Sequence, residues 1–163
     1  MSDIVIRSAT QDDADLLWDF LAIAGYEPSV AVARTLPVLT DYLDGWRRPT
    51  DFGLIAERNA VAIGAAWARQ FPSDGPKFYF DERTPELTVG VKEHARGQGV
   101  GEMLIRALIA EATGRGLRLS LNVRDTNPAR RLYERLGFRV VPGMTATNRV
   151  GGQSIAMVFV EEP

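Results

Sequence analysis

The sequence predicts a mixed α/β fold, built as one domain over residues 1–163. Three observations lead there. Strand-like stretches alternate with helix-like ones along the whole chain, which indicates mixed layers rather than a bundle or a sandwich. The central stretch 87–123 reads strand, glycine-rich turn, helix, strand, a parallel crossover that is right-handed by default. A length of 163 residues, 45% of them hydrophobic, with no repeat, linker or low-complexity tract, suits a single sizeable core.

Each element has a local reason. Ile4, Val5, Ile6 and Arg7 read as a short strand. Thr10 is placed as a helix N-cap. Asp12, Asp13 and Asp15 sit near the positive end of that helix, and Leu16, Leu17, Phe20 and Leu21 form its apolar stripe. Gly25-Tyr26-Glu27-Pro28 breaks it. Residues 30–46 read as helical, with Pro37 a kink or a boundary between two short helices. Residues 52–57 and 61–71 read as strands flanking a hairpin turn at Arg58-Asn59-Ala60. Pro72, Gly75, Pro76 and Pro85 make 72–85 a loop, and 87–91 is a strand. Residues 94–101 form a glycine-rich turn, and 102–113 a helix with Met103, Leu104, Ala107 and Leu108 on its apolar side. Gly114-Arg115-Gly116 ends that helix. Residues 117–123 alternate as a strand, 128–136 form a helix stopped by Gly137, and 138–141 and 154–160 are the last strands.

Composition excludes several functions. A net charge of -2 argues against nucleic acid as the main partner, since phosphate backbones call for a basic surface. With no Cys there is no disulfide, no Cys nucleophile and no Cys-ligated metal. The single His, His94, cannot build a multi-His site, so no metal is expected. Residues 1–7 lack a basic stretch followed by an apolar core, and no apolar run reaches ~18 residues, so no membrane association is expected and the default location is cytoplasmic.

The segment Arg96-Gly97-Gln98-Gly99-Val100-Gly101 opens a helix. Free backbone N–H groups and the positive end of the helix dipole make such a turn an anion site. Its glycines let the backbone approach closely, and Arg96 adds a charge-assisted contact. Two nucleotide fingerprints fail. A Walker loop needs Gly-Lys-Ser/Thr, but Glu102 and Met103 follow Gly101; G-x-G-x-x-G fails because Glu102 follows where the third glycine belongs. Glu102 also argues against a very highly charged ligand. Three alternating glycines are more than a bare strand-to-helix turn requires.

Val89-Gly90-Val91 followed by Arg96 to Gly101 resembles the acetyl-CoA-binding motif of the GNAT superfamily of N-acetyltransferases, whose core is R/Q-x-x-G-x-G/A. Ile6-Arg7-Ser8-Ala9-Thr10, followed by Asp12 or Asp13, resembles that family's first strand and helix start. Asn127-Pro128-Ala129-Arg130-Arg131-Leu132-Tyr133-Glu134-Arg135-Leu136-Gly137-Phe138 resembles its second cofactor motif. The match spans nearly the whole chain in order, and the two motifs, about 25 residues apart, are highly specific together.

The resemblance implies an α/β (α+β) fold. Its sheet would be mixed and mostly antiparallel, with a central parallel pair splayed to admit acetyl-CoA and helices on both faces. It also implies site residues. Backbone groups of Val89 and Val91, around Gly90, would pair with the pantetheine arm. Arg96, Gly97, Gln98, Gly99, Val100, Gly101 and Glu102 would surround the pyrophosphate. Asn127, beside Ala129, would hydrogen-bond the pantetheine arm, and Tyr133 would lie near the thioester sulfur. One departure stands out. Counted four on from Val123 the family's Asn is Asn127, but counted seven back from Tyr133 that slot holds Thr126, so the turn is one residue short.

The implied reaction is direct attack of a primary amine on the thioester of acetyl-CoA in a ternary complex. The leaving thiolate needs a proton, and a phenol, with a usual pKa of about 10, is neutral at pH 7 and can donate; Tyr133 is the candidate acid. The Val91 N–H would polarise the carbonyl. Covalent catalysis is disfavoured without Cys and without a His-x-x-x-Asp motif, since Gln98 stands four after His94, which reads as a solvated loop residue. Glu86 is the candidate base, directly or through water, against the alternative of a surface carboxylate; Asn122, where some relatives carry a Glu base, cannot do that job. Residues 25–46 and 72–85 are expected to set the acceptor, a small-molecule or peptide amine. Tyr26, Trp46, Trp67, Phe71, Phe78, Tyr79 and Phe80 are candidate lining, although core or rim packing explains each one singly. A monomer or homodimer is expected. The rival reading is a non-catalytic acyl-CoA-binding module, which keeps the glycine turn and needs no acid.

Overall fold

The computed structural model describes residues 3–148 and 150–161. They group into two compact units, each discontinuous in sequence: residues up to Arg69 with Thr88–Leu108, and Gln70–Leu87 with residues from Ile109 on.

The first unit opens with β1 (Ile4–Ser8), which pairs antiparallel with β2 (Phe52–Arg58). β2 pairs antiparallel with β3 (Val61–Arg69). Asn59 and Ala60, with φ of +54° and +63°, are both left-handed, the geometry of the two-residue hairpin turn whose twist matches the strands. The β2–β3 register shifts between Ala56 and Glu57, and there the Ile63 carbonyl accepts the Lys92 N–H at 2.9 Å.

Thr10 caps the chain as expected, but its first turn is 3-10: its side chain accepts from Asp12 N, and Asp13 returns a bond to the Thr10 N–H at 2.7 Å. Helix α1 (Ala14–Ala24) follows and buries Leu17, Trp18, Phe20 and Leu21. The 30–46 stretch is two one-turn helices, α2 (Val30–Ala33) and α3 (Pro37–Thr40), with Pro37 starting the second where its missing N–H costs nothing. Ala33, Leu39, Leu43 and Trp46 tie this stretch into one core with α1, Ile55, Ala65 and Trp67.

Two polar devices hold the unit. The Arg69 guanidinium, 1% exposed, donates to both carboxylate oxygens of fully buried Asp51 (3.1 and 2.8 Å) and to the carbonyls of Asp41 (2.9 Å) and Asp44 (2.8 Å). Asp51 also accepts the Arg48 N–H, so β3 clamps the 41–51 loop by side-chain bonds that satisfy both charges. The second device is Asp13, bonded to Arg7 at 2.9 Å through both oxygens. The Arg7 hydrogen bonds hold its carboxyl at about 2, against desolvation, from an ordinary 3.8. A depressed carboxyl stabilises the fold above its unfolded pKa, and that contribution, about 2 kcal/mol, is lost as pH falls from about 4 to about 2. The urea midpoint of the wild type is therefore expected to fall over that window. Asp13→Asn should start lower and lose less, and parallel curves for the two proteins would remove this role.

In the second unit, Glu86 and Leu87 begin β4 (Glu86–Val91), whose parallel register with β5 (Ser120–Arg124) is the single position Glu86↔Ser120. β5 pairs antiparallel with β7 (Gln153–Phe159), and β7 with β6 (Phe138–Thr147). Since β4 runs into the first unit, where Thr88–Val91 lie beside β3, the strand order reads β1-β2-β3-β4-β5-β7-β6. This is the mixed, mostly antiparallel sheet with a central parallel pair.

Several details differ from expectation. β5 starts at Ser120 rather than 117. The Leu117 N–H is spent on Ala112 O (2.8 Å) and the Gly116 N–H on Thr113 O (3.0 Å), the paired bonds that close α4 (Val100–Gly114) with Gly116 left-handed. The buried stripe of α4 is Val100, Leu104, Ile105, Leu108 and Ala112, and Met103 is 38% exposed, so the inward face is rotated by about one residue. β6 continues past Val141 because Pro142 and Gly143 sit in a bulge, after which pairing resumes at Thr145↔Ile155. Among the described residues no helix is long and apolar enough to cross a membrane.

Candidate functional site

The glycine turn lies in the first unit, between β4 and α4. Val89 and Val91 are half-buried at the end of β4, and Gly90 between them is buried. A Cβ at Gly90 would stand 2.5 Å from the Phe20 carbonyl oxygen, so glycine there is what lets α1 lie against the strand. A short 3-10 turn, Glu93–Ala95, leads to Arg96, which is extended and exposed. His94 is exposed on that turn.

Gly97 (φ +76°) and Gly99 (φ +81°) are both left-handed, and a Cβ at either would meet nothing within 4 Å. Their identity is required by backbone conformation, and the space above them is open. Gly101 differs, since its Cβ would make only an ordinary 3.8 Å contact with Val91. The Met103 N–H returns to Gly99 O at 3.0 Å, closing the first turn of the helix. The amides of Val100 and Gly101 precede it, the position at which helical N–H groups find no carbonyl one turn back. The turn is an open cradle at a helix start, the kind of backbone arrangement that can take an anion. The Glu102 carboxylate lies 3.6 Å from Arg106 Nε along the helix, which offsets its charge. Gln98, between the two left-handed glycines, accepts from Arg58 Nη2 at 2.7 Å and donates to His94 O at 3.1 Å. Beside the turn an open surface hollow of about 570 Å³ lies among Tyr26 and Glu27, after α1, and Lys92, Glu93 and Arg96. Tyr26 is left-handed (φ +59°) and 57% exposed, a strained residue at the rim.

The second unit holds the other candidates. Glu86 is 4% exposed, so it is not a surface carboxylate. Asn127 Oδ1 accepts the Ala129 N–H at 2.9 Å, which fixes the side chain at the head of α5 (Arg130–Leu136). Thr126, the other slot, is exposed. Tyr133 is on α5, 9% exposed, its ring edge-on to Phe138 with centroids 6.3 Å apart; Phe138 in turn meets Phe159 edge-on at 5.7 Å. This row of rings sets the orientation of the phenol. Asn122 is exposed on β5.

The structure thus collects Val89, Gly90, Val91 and Arg96 to Glu102 in one unit, and Glu86, Asn127, Ala129 and Tyr133 in the other. Three aromatic candidates for an acceptor pocket are core instead. Trp46, Trp67 and Phe71 are buried, with the indole N–H groups donating to Thr10 O (2.9 Å) and Tyr42 O (3.0 Å). Tyr26 is exposed, and Phe78, Tyr79 and Phe80 are half-exposed. The residue that sequence reasoning missed is Arg58. It stands 40 positions before its partner Gln98, and no motif marks it.

Comparison with known proteins agrees with this geometry. The profile of the "Acetyltransferase (GNAT) family" matches residues 16–138. A 5-NmdU N-acetyltransferase of Pseudomonas phage PaMx11 is 40% identical over 79 residues, 46% of this chain and 51% of that protein. A mycothiol acetyltransferase of Corynebacterium glutamicum (strain R) is 32% identical over 147 residues, 82% of this chain and 50% of that protein. The chain spans about half the length of these curated relatives. Among solved structures, the ribosomal-protein-alanine N-acetyltransferase of Brucella melitensis superimposes with a TM-score of 0.73 at 23% identity, over 96% of this chain and 99% of that one. The yncA protein of Salmonella typhimurium, solved with its cofactor acetyl-CoA, gives 0.73 at 24%, over 99% and 97%. With the family profile covering most of its length, its glycine cradle opening α4 and its parallel pair at β4 and β5, the chain belongs to the acetyltransferase (GNAT) family.

Proposed function

We propose that the chain transfers an acetyl group from acetyl-CoA to a primary amine by direct attack. The observation that carries this reading is the open cradle at Gly97 and Gly99, on the first amides of a 15-residue helix. In this reading the amides from Gln98 to Gly101 hold the pyrophosphate, with Arg96 adding charge. Val89 and Val91 pair with the pantetheine arm as a further strand would, and Asn127 donates to it from its amide nitrogen.

The amine nitrogen attacks the thioester carbon while the Val91 N–H polarises the carbonyl oxygen. The C–N bond forms and the C–S bond breaks. The Tyr133 hydroxyl gives its proton to the departing thiolate, and the proton shed by the new amide nitrogen restores the phenol through solvent. Glu86 takes the proton that an ammonium acceptor must lose first, directly or through water. The acceptor is an amine whose identity is set by the 25–46 and 72–85 segments. The relatives named above act on different acceptors, in keeping with loops that vary on a shared scaffold.

Gly99→Val tests the cradle. A β-branched residue at φ +81° is strained by about 1–2 kcal/mol, and its side chain projects into the open space the anion needs, where a Cβ meets nothing within 4 Å. Calorimetric titration with acetyl-CoA is expected to show affinity lowered at least ~30-fold by blocked amides, with a cooperative unfolding transition retained. Wild-type affinity in this variant would exclude the turn as the pyrophosphate site.

A further inference from the structure

We propose that Arg58, at the end of β2, is a positioning residue for the glycine turn, acting on acetyl-CoA binding through the side chain of Gln98. This rests on the proposed function and assigns a part of that site which no motif contains.

Gln98 is flanked by two left-handed glycines, and a Cβ at either glycine would meet nothing within 4 Å. Packing therefore does not hold the turn at those positions. Glycine also carries the greatest backbone freedom, so an untethered turn would lose the most entropy on closing around an anion. The Gln98 side chain supplies the restraint that packing does not. Its Oε1 accepts from Arg58 Nη2 at 2.7 Å, a short charge-assisted bond, and its Nε2 donates to the His94 carbonyl at 3.1 Å. Both ends of the carboxamide are thereby used, one on the rigid hairpin and one on the 3-10 turn that enters the loop. The hairpin end is itself anchored. Arg58 pairs with Ile4 in β1 and with Val61 in β3, so the guanidinium springs from a strand bonded on both sides. The effect is to order the turn before the ligand arrives, which lowers the cost of binding without touching the reacting atoms.

The test compares wild type, Arg58→Ala, Gln98→Ala and the double variant. Arg58→Ala is expected to raise the Kd and KM for acetyl-CoA about fivefold, as loss of one charge-assisted bond would, with kcat and Tm unchanged. Arg58→Lys is expected to recover part of the loss. In the Gln98→Ala background, Arg58→Ala should change the Kd no further. Without ligand, amide hydrogen exchange across 97–99 should speed up in Arg58→Ala. Unchanged exchange and Kd would overturn the proposal. So would additive effects in the double variant, which would mean that Arg58 meets the phosphates itself. A wild type that fails to bind acetyl-CoA would overturn the proposed function and, with it, the cofactor role of the tether, while the exchange measurement on the unliganded protein still reads the tether itself.

Discussion

Tyr133→Phe is expected to lower kcat about 100-fold or more, with KM for acetyl-CoA within about twofold of wild type. The substitution removes one oxygen and keeps the ring. The edge-on contacts that run from Tyr133 to Phe138 and Phe159 involve ring faces and edges only, so the α5–β6 packing is retained. The loss then reports on the hydroxyl. A proton delivered to a departing thiolate matters in the transition state and hardly at all in the bound ground state, so kcat falls and KM does not. Thiol release followed across pH, with unfolding checked in parallel, separates this from a stability effect. Equal turnover in the two proteins would remove Tyr133 as the acid.

Asp51→Ala is expected to destabilise the protein by about 3–5 kcal/mol, because it leaves the Arg69 guanidinium buried without its counter-charge. Arg69 is 1% exposed and Asp51 is fully buried, so neither charge reaches water. The carbonyls of Asp41 and Asp44 remain as acceptors, and they cannot neutralise the cation. The Arg48 N–H also loses its partner, which loosens the loop before β2. Replacing both members, Asp51→Leu with Arg69→Met, should cost clearly less than the single change, since no lone charge is stranded. Urea unfolding of the three variants reads this directly. A loss below ~1 kcal/mol for Asp51→Ala would show that water reaches the pair after all.

What could be read in the sequence was what local chemistry dictates. Gly97 and Gly99 were legible because a left-handed backbone next to a helix start calls for glycine within a few residues. Pro37 marked the junction of two short helices because a proline N–H is dispensable only at a helix start. The interactions that escaped join distant residues. Nothing local marks Arg69, inside the stretch read as a strand, until the fold brings Asp51 to it from 18 residues away, and Arg58 reads as a turn residue until Gln98 meets it. Glu86 reads as a base or as a surface carboxylate because burial of a charge has no local signature, and it is 4% exposed. Pro142-Gly143 has the composition of a turn, and only the resumed pairing with β7 at Thr145 shows it to be a bulge within β6. Leu117 alternates correctly for a strand, but its N–H closes the preceding helix.

In the proposed reaction an acetyl group moves from acetyl-CoA to an amine. Thiol release from acetyl-CoA is followed across a panel of free amino acids, polyamines, antibiotic amines and peptides with free N-termini, with the acetylated product identified by mass. Release that depends on at least one amine and is suppressed by Gly99→Val is the result expected. Tight binding of acetyl-CoA with no amine-dependent release from any member of the panel would contradict the transfer and leave a protein that binds the cofactor without using it.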